Sequence, residues 1–252
     1  ELGKLILFYD DNDITIEGDT DITFKEDVAM RFKAQNWQVI KVDLVENPDN
    51  VAMLSNAIKK AQKETKKPSI IICKTKIGYG TPLEGSHKCH GAPLGEENLK
   101  KTKERFGWTS APFEVPAEVL EHTAKAGRRG AKKEREWKAM FAEYEAKYPE
   151  LAKAYKAAMS GEMVDLAKVD DLFRFEKPMA TRQTSATVLN KIAALVPNLM
   201  GGSADLAPSN LSDMKNTDTI TYGDFAPGSY EGRNMHFGIR EHAMAAITNG
   251  MQ

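Results

Sequence analysis

The sequence predicts an α/β protein built on parallel sheets, and three observations carry that expectation. Between Glu1 and Cys73, strand-like apolar runs alternate with amphipathic helical segments in the order strand, helix, strand, helix, strand. That order gives a parallel sheet with right-handed crossovers. Ser69-Ile70-Ile71-Ile72-Cys73 is apolar without alternation, the pattern of a strand covered on both faces. From Thr181 onward a helix again leads into a short strand, followed by a turn rich in Gly and Ser.

The first strand is read from Glu1-Leu2-Gly3-Lys4-Leu5-Ile6-Leu7-Phe8-Tyr9. Asp10-Asp11-Asn12-Asp13-Ile14-Thr15-Ile16-Glu17-Gly18 follows as an acidic loop at its carboxyl end, where open α/β sheets collect ligands. Carboxylate, amide and backbone oxygens of this kind suit a hard cation such as Mg²⁺ or Ca²⁺. The same residues are also ordinary turn formers. A capping-box pattern, Thr23-Phe24-Lys25-Glu26, predicts a helix to Asn36 with Phe24, Val28 and Phe32 on one face. Trp37 to Val42 is the next strand. A second helix begins near Asn47-Pro48, with Pro in its first turn and Val51, Leu54, Ile58 and Ala61 on one face, until Lys66-Lys67-Pro68 stops it.

A long Gly-rich loop follows the third strand, from Lys74 to Gly95, and carries His87 and His90. The pair is spaced for zinc, but no third or fourth ligand keeps it company; a surface loop with solvated histidines is the plain alternative. Leu94-Gly95 opens a polar helix through about Phe106, and Gly107 ends it. Thr109 to Pro116 is an extended connector. Trp137, Phe141, Tyr144, Tyr148, Leu151 and Tyr155 then mark an amphipathic helix, kinked or restarted at Pro149, whose aromatic stripe is a packing surface. It is expected to lie across the sheet domain as a linker ending at Gly161, with Lys168 to Pro178 as a second connector. Thr181 to Ser185 caps the next helix, and Pro197 to Met200 leads as a strand into Gly201-Gly202-Ser203-Ala204-Asp205-Leu206-Ala207-Pro208-Ser209-Asn210. This turn could cradle an anion, yet it lacks the Gly-Lys-Ser/Thr ending of a P-loop.

Composition narrows the function classes. Lys plus Arg number 35 against 36 Asp plus Glu, a formal charge of −1, so no global field attracts nucleic acid or a membrane. An anionic ligand must be held by local groups. Cys73 and Cys89, the two cysteines, follow no metal-ligand spacing, which points to a reducing compartment rather than a disulfide scaffold. There is no signal peptide pattern and no apolar run long enough to span a bilayer. Both ends look cut, as expected of an internal portion of a longer polypeptide.

The segment of greatest chemical interest is His236-Phe237-Gly238-Ile239-Arg240-Glu241-His242-Ala243-Met244, running on to Gly250. Apolar residues at 239, 243, 244 and 247 share a helical face, so a loop entering a buried helix is expected. Glu241 stands out there, because an ionised carboxylate in a packed interior costs several kcal/mol unless something binds it. Two readings remain open on these residues alone. Glu241 serves chemistry, or it pairs with Arg240 or His242 or caps the helix N-terminus.

The wording of this segment resembles the transketolase family, whose Phe/Tyr-Gly-Ile/Val-Arg-Glu run carries the glutamate that activates thiamine diphosphate. The resemblance makes Glu241 the residue that hydrogen-bonds the cofactor's pyrimidine ring and assists proton transfer there. It extends to three other motifs in family order. Asp-Asp-Asn-x-Ile implies that the Asn12 side chain and the Ile14 carbonyl hold Mg²⁺ (or Ca²⁺) under the diphosphate, although no Gly-Asp-Gly, the usual partner motif, occurs in the chain. His-Gly-Ala-Pro-Leu implies that His90 contacts both the cofactor diphosphate and the bound sugar; His87 is left unassigned. The Gly-Gly-Ser-Ala-Asp-Leu-Ala-Pro-Ser stretch and the preceding helix imply that Arg182 and Ser209 contact the substrate phosphate, while Asp205 faces the cofactor.

On this resemblance the fold is a parallel-sheet thiamine diphosphate-binding fold. Residues 1–110 are the latter part of the diphosphate-binding domain, 111–178 a helical linker, and 179–252 the first part of the pyrimidine-binding domain. The implied function is transketolase: reversible transfer of a two-carbon ketol unit between sugar phosphates, as in the pentose phosphate pathway or the Calvin cycle. The implied assembly is a homodimer whose active sites lie at the subunit interface, in the cytoplasm or alternatively the plastid stroma. Dihydroxyacetone synthase uses the same motifs with another acceptor, and a catalytically silent transketolase-like scaffold is the alternative from a different class.

Overall fold

The computed structural model describes residues 2–162, 164–216 and 220–251. The chain forms two compact units, Glu1–Ala124 and Lys125–Gln252.

The first unit is organised by three parallel strands, β1 (Ile6–Asp11), β4 (Gln38–Asp43) and β5 (Ser69–Lys74), with β5 in the middle. Between β1 and β4 come a small antiparallel pair, β2 (Ile14–Thr15) and β3 (Gly18–Asp19), and helix α1 (Val28–Ala34); helix α2 (Val51–Lys63) joins β4 to β5. Pairing runs without a bulge from Ile6↔Ser69 to Asp11↔Lys74 on one side of β5, and from Gln38↔Ser69 to Asp43↔Lys74 on the other. Ser69 to Cys73 are buried at every position. Ile71 and Cys73 face a cluster with Ile40, Val42, Ala57 and Ala61, while Ile70 and Ile72 face Ala29, Val28 and Phe32. Successive strand residues point to opposite faces, so α1 covers one face of the sheet and α2 the other. This is the parallel α/β layering expected from the uninterrupted apolar run.

Three boundaries differ from the sequence reading, each for a local reason. The first strand begins at Ile6 because Leu2 to Leu5 fold into a turn, with the Leu5 N–H donating to the Leu2 carbonyl at 2.9 Å. The first helix begins at Val28, not Thr23: the Asp27 carboxylate accepts from the Met30 N–H at 2.9 Å, and an Asp cap closer to the apolar run displaces the Thr23 capping box. In the same way Asn50 caps the second helix through the Met53 N–H at 3.0 Å, which leaves Pro48 ahead of the helix.

Helix α3 (Glu96–Arg105) stops just before Gly107 as expected, and helix α4 (Ala117–Lys147) starts well before Trp137, the first residue of the stripe that marks it. Pro149 begins a new helix, α5 (Pro149–Met159), where its missing N–H is harmless. Trp137 and Phe141 stack within α4 at 5.1 Å between ring centroids, and Phe141 packs on Tyr155 of α5 at 5.3 Å.

The rest of the second unit pairs helix α6 (Thr181–Leu195) with a parallel two-stranded sheet, β6 (Gly201–Ser203) and β7 (Asn234–His236); the short helix α7 (Ala207–Asn210) lies between them in sequence, and helix α8 (Glu241–Met251) follows β7. The strand expected at Pro197 to Met200 is therefore the Gly-Gly-Ser segment itself. Gly202 explains why: a side chain there would lie 1.8 Å from the Met235 carbonyl oxygen, so only glycine lets β7 approach. The burial expected for the last helix is not found among the described residues. Ala243 and Met244 are half-buried, but Ile239 is 79% and Ile247 45% exposed. The strands of its own unit are too short to cover its apolar face.

One side chain ties this unit together. Arg233 donates Nε–H to the Leu199 carbonyl at 2.8 Å and Nη2–H to those of Ala193 and Val196 at 2.9 Å, while its guanidinium lies 4.1 Å from the Tyr222 ring centroid. Ala193 lies in the last turn of α6 and Val196 and Leu199 just beyond it, where the final carbonyls of a helix lack intrahelical partners; the Val196 carbonyl also accepts the Leu199 N–H at 3.0 Å. Arg233→Ala should lower the unfolding free energy by about 2–4 kcal/mol, because it strands half-buried carbonyls. Denaturant titration of the variant checks this, and a loss below about 0.5 kcal/mol, the range of an unremarkable surface change, would show that the carbonyls find other partners.

Candidate functional site

In the first unit the carboxyl ends of β1 and β5 meet in register, and the loops that leave them are cross-braced. Thr75 donates its N–H to the Asp11 carbonyl at 3.2 Å and its hydroxyl to Asp10. Lys74 reaches Asp11 Oδ2 at 3.4 Å and also Asp13. Partial burial acts to lower the Lys74 pKa, but the hydrogen bonds and charges of Asp13 and Asp11 outweigh it and hold the ammonium above its ordinary value. The two carboxylates that flank Asn12 thereby share one cation. Asn12 itself accepts the Ile14 N–H on Oδ1 at 3.0 Å, and Asp13 between them takes the left-handed conformation, φ 60°.

This turn sets the Asn12 amide oxygen and the Ile14 backbone close together through a short local bond. An amide oxygen has two lone pairs, so the bond from Ile14 leaves Oδ1 one for a cation. Neutral oxygens of this kind suit Mg²⁺ or Ca²⁺ and are too few for a complete shell. Among the described residues no group of three or more His, Cys, Asp or Glu side chains is arranged to hold a metal.

His90 is exposed at the close of the loop after β5. Its N–H donates to the His87 carbonyl at 3.0 Å, closing a single 3₁₀ turn, His87–Cys89. The half-buried Cys89 thiol donates to the Ser86 carbonyl at 2.9 Å. Glu84, which sequence reasoning passed over, is the loop's most connected side chain. It accepts the Gly80 N–H at 2.9 Å and pairs with Lys76 at 3.7 Å and Arg105 at 3.6 Å.

In the second unit Arg182 is exposed in the first turn of α6. Thr181 lies inside the helix and Ala180 is the cap position, where Gln183 accepts the Ala180 N–H at 3.1 Å. Ala186 and Asn190 continue the Arg182 stripe at four-residue spacing and line a groove with Ala207, Pro208 and Leu211. Ser209 is exposed in α7, beside that groove, and Asp205 precedes α7 in the left-handed conformation, φ 62°. Ser203 helps set this turn by accepting the Leu206 N–H on Oγ at 3.1 Å.

Glu241 is exposed in the first turn of α8. Arg240 does not pair with it: the guanidinium turns back to the Phe237 carbonyl at 2.9 Å. Phe237 in turn donates its N–H to the Ser203 carbonyl at 3.2 Å, so the end of β6 anchors the turn that presents Glu241. The buried Asn234 side chain fixes the start of β7, accepting the Met214 N–H at 2.7 Å and donating to the Met214 carbonyl at 3.0 Å. The signal for Arg233 and Asn234 was faint in sequence, a polar pair directly before a strand.

Comparison with known proteins identifies the arrangement. The profile of "Transketolase, thiamine diphosphate binding domain" matches residues 1–164, and that of "Transketolase, pyrimidine binding domain" matches residues 177–252. The chain belongs to the transketolase family. It is 46% identical over 255 residues to a transketolase of Bacillus subtilis (strain 168), covering 100% of this chain and 37% of that protein. It is 44% identical to a chloroplastic transketolase of Craterostigma plantagineum, covering 99% of this chain and 47% of that protein. A transketolase of Pichia stipitis solved with sedoheptulose-7-phosphate superposes with a TM-score of 0.85 at 38% identity, covering 99% of this chain and 37% of that one. The chain thus spans well under two thirds of the length of the relatives it matches. The four motifs that carried the resemblance all fall inside the matched segments.

The Glu84 contacts give an acid-side expectation. The Gly80 N–H, working against partial burial and aided by Arg105 and Lys76, holds the Glu84 carboxyl below the usual carboxylate range. A depressed folded-state pKa stabilises above the unfolded value of about 4.3 and loses that effect as pH falls through the folded value. The stability gap between wild type and Glu84→Gln should therefore be widest above about pH 4.3 and shrink below it. Urea unfolding across that range measures it; a gap independent of pH would mean that the fold does not hold this carboxyl below its ordinary range.

Proposed function

We propose that this chain is part of a transketolase that transfers a two-carbon ketol unit reversibly from a ketose phosphate to an aldose phosphate. The observation that carries the reading is the co-occurrence of both cofactor-domain matches with every motif residue in an accessible position: Asn12, Ile14 and His90 in one unit, and Arg182, Asp205, Ser209 and Glu241 in the other. The bound sugar phosphate of the Pichia stipitis relative supports the substrate class. Silent scaffolding is disfavoured by the same residues, since a chain freed from chemistry has no reason to keep a phosphate-binding Arg and an exposed Glu in these turns.

Thiamine diphosphate, when bound, supplies the nucleophilic carbon that breaks and remakes the carbon–carbon bond. The side chains bind and move protons around it. Glu241, at a helix start where Arg240 turns back to the Phe237 carbonyl, would hydrogen-bond the cofactor's pyrimidine ring and assist proton transfer there. Asn12 and Ile14 offer neutral oxygens to a divalent cation, Mg²⁺ or Ca²⁺, that offsets the diphosphate charge. His90 would contact both the diphosphate and the bound sugar, Asp205 would face the cofactor, and Arg182 with Ser209 would contact the sugar phosphate through charge-assisted hydrogen bonds.

The domain boundaries we assign are 1–110 for the latter part of the diphosphate-binding domain, 111–178 for the helical linker and 179–252 for the first part of the pyrimidine-binding domain. The interval between the two profile matches, residues 165–176, falls within that linker. We further assign the chain to a homodimer with active sites at the subunit interface, which the exposed apolar face of α8 beside Glu241 favours. No described helix is long and apolar enough to cross a membrane. The place of action is the cytoplasm or, following the chloroplastic relative, the plastid stroma, in the pentose phosphate pathway or the Calvin cycle respectively.

Two substitutions in the assembled enzyme test this reading. Glu241→Gln keeps the side-chain volume and removes the acid, so turnover should fall by at least about 100-fold, with little change in substrate KM. Turnover within a few-fold of wild type would remove Glu241 from the chemistry. Arg182→Ala should weaken phosphorylated acceptors by roughly 1.5–3 kcal/mol while leaving glycolaldehyde, which has no phosphate, nearly unaffected. Equal losses for the two acceptors would give Arg182 a structural role instead.

A further inference from the structure

Resting on the reading of His90 as a sugar- and cofactor-contacting residue, we propose that Glu84 is a positioning residue for that histidine, acting as the latch that fastens the His90 loop to α3. The loop from Lys76 to Gly95 has almost no regular structure, yet His90 must stand in one place to serve two ligands. Glu84 supplies the fixed point. Its carboxylate is 23% exposed and gathers the Gly80 N–H, Lys76 from the start of the loop and Arg105 from the end of α3.

Two further contacts aim the same parts at each other. The Arg105 guanidinium also lies 5.5 Å from the Tyr79 ring centroid, and Phe106 meets Tyr79 edge-on at 6.0 Å. Phe106 fills the space a side chain at Gly80 would need, a β-carbon there falling 2.1 Å from its ring. The end of α3 is therefore clamped on residues 79–84 by an ion pair, a cation–ring contact and a ring packed on glycine.

The path from Glu84 to His90 is short and made of single bonds. Gly85, next to Glu84, donates its N–H to the Ile77 carbonyl at 2.8 Å, and Ser86 donates to the Leu83 carbonyl at 3.0 Å. Cys89 hangs on this turn through its thiol, 2.9 Å from the Ser86 carbonyl and 3.5 Å from that of Leu83. His90 follows directly, held by the His87 carbonyl. Displacing Glu84 moves the turn on which the Cys89 thiol rests, and with it the imidazole. A displacement of about 1 Å at a reacting centre can lower rates by up to about 100-fold.

Steady-state kinetics of the assembled enzyme carrying Glu84→Ala, His90→Ala and both substitutions tests the proposal, with Glu84→Gln as a milder variant. If Glu84 acts through His90, Glu84→Ala should lower kcat/KM for the ketose phosphate about 10-fold, and should change it less than about 2-fold when His90 is already Ala, since coupled residues are not additive. Glu84→Gln keeps an oxygen for the Gly80 N–H and loses the charge, so it should recover part of the loss. Equal effects of Glu84→Ala in both backgrounds, or none where His90→Ala is impaired, would overturn the latch and leave the His90 reading standing. An unimpaired His90→Ala enzyme would instead overturn the His90 reading, and the latch with it. Should Glu84→Ala fail to fold, Glu84→Gln against His90→Ala gives the same comparison.

Discussion

The constraint on which the first unit depends is the burial of β5 between two parallel neighbours. Its backbone N–H and C=O groups have no access to water, so each must find a partner on β1 or β4, and the unbroken pairing on both sides meets that demand. In-register parallel pairing ends all three strands at one level, with Asp11, Asp43 and Lys74 side by side. The Asn12 turn and the His90 loop consequently leave the same sheet edge. Lys74 is the natural residue for that corner, because carboxylates concentrated at one edge repel one another unless a cation stands among them. The meeting of the two loops at this edge follows from the need to satisfy a buried strand.

The second unit solves a harder problem with less sheet. β6 and β7 pair over three residues each, too few to organise a helix and two functional turns by backbone bonding alone. Side chains take over: Arg233 gathers the carbonyls at the end of α6, and Asn234 imitates a strand partner for Met214. Both precede or begin β7, so the strand that leads to Glu241 is fastened to the helix that carries Arg182. The proposed proton-handling group and the proposed phosphate-binding group are thus coupled through two adjacent polar residues.

How much could be read beforehand follows from the range of each interaction. The layering of the first unit was readable because Ser69 to Cys73 expose their environment residue by residue, and the start of α5 because Pro149 acts within one turn. Helix starts at Val28 and Val51 were misplaced because several residues compete as caps, and the winner depends on where the apolar face lands against the sheet. The strand at Gly201 was hidden since two glycines look like a turn; only the approach of Met235, more than thirty residues away, makes them a strand. Glu84 and Arg233 were hard to single out for a similar reason. Their partners, Arg105 in one case and Ala193 to Leu199 in the other, lie at distances in sequence that no local pattern encodes. Motif wording located the candidate site residues, whereas the residues that hold them still emerge only from the contacts.

In the reading proposed above, the exposure of Glu241 would tie its role to assembly. A hydrogen bond from an exposed carboxyl to a ring nitrogen merely replaces one made with water, and its net worth is about 1 kcal/mol. The same bond in an apolar, water-excluded site is stronger and is not exchanged. Glu241 begins the helix that carries the exposed Ile247, and the exposed Ile239 stands just ahead of it, so a partner that covered both isoleucines would also cover the helix start between them. In the homodimer proposed above, association would bury the isoleucines for their hydrophobic gain, on the order of 1.5–3 kcal/mol per side chain, and enclose Glu241 by the same act. The two residue types in this segment that looked incompatible in sequence, a bare acid and an apolar stripe, then have a single physical purpose.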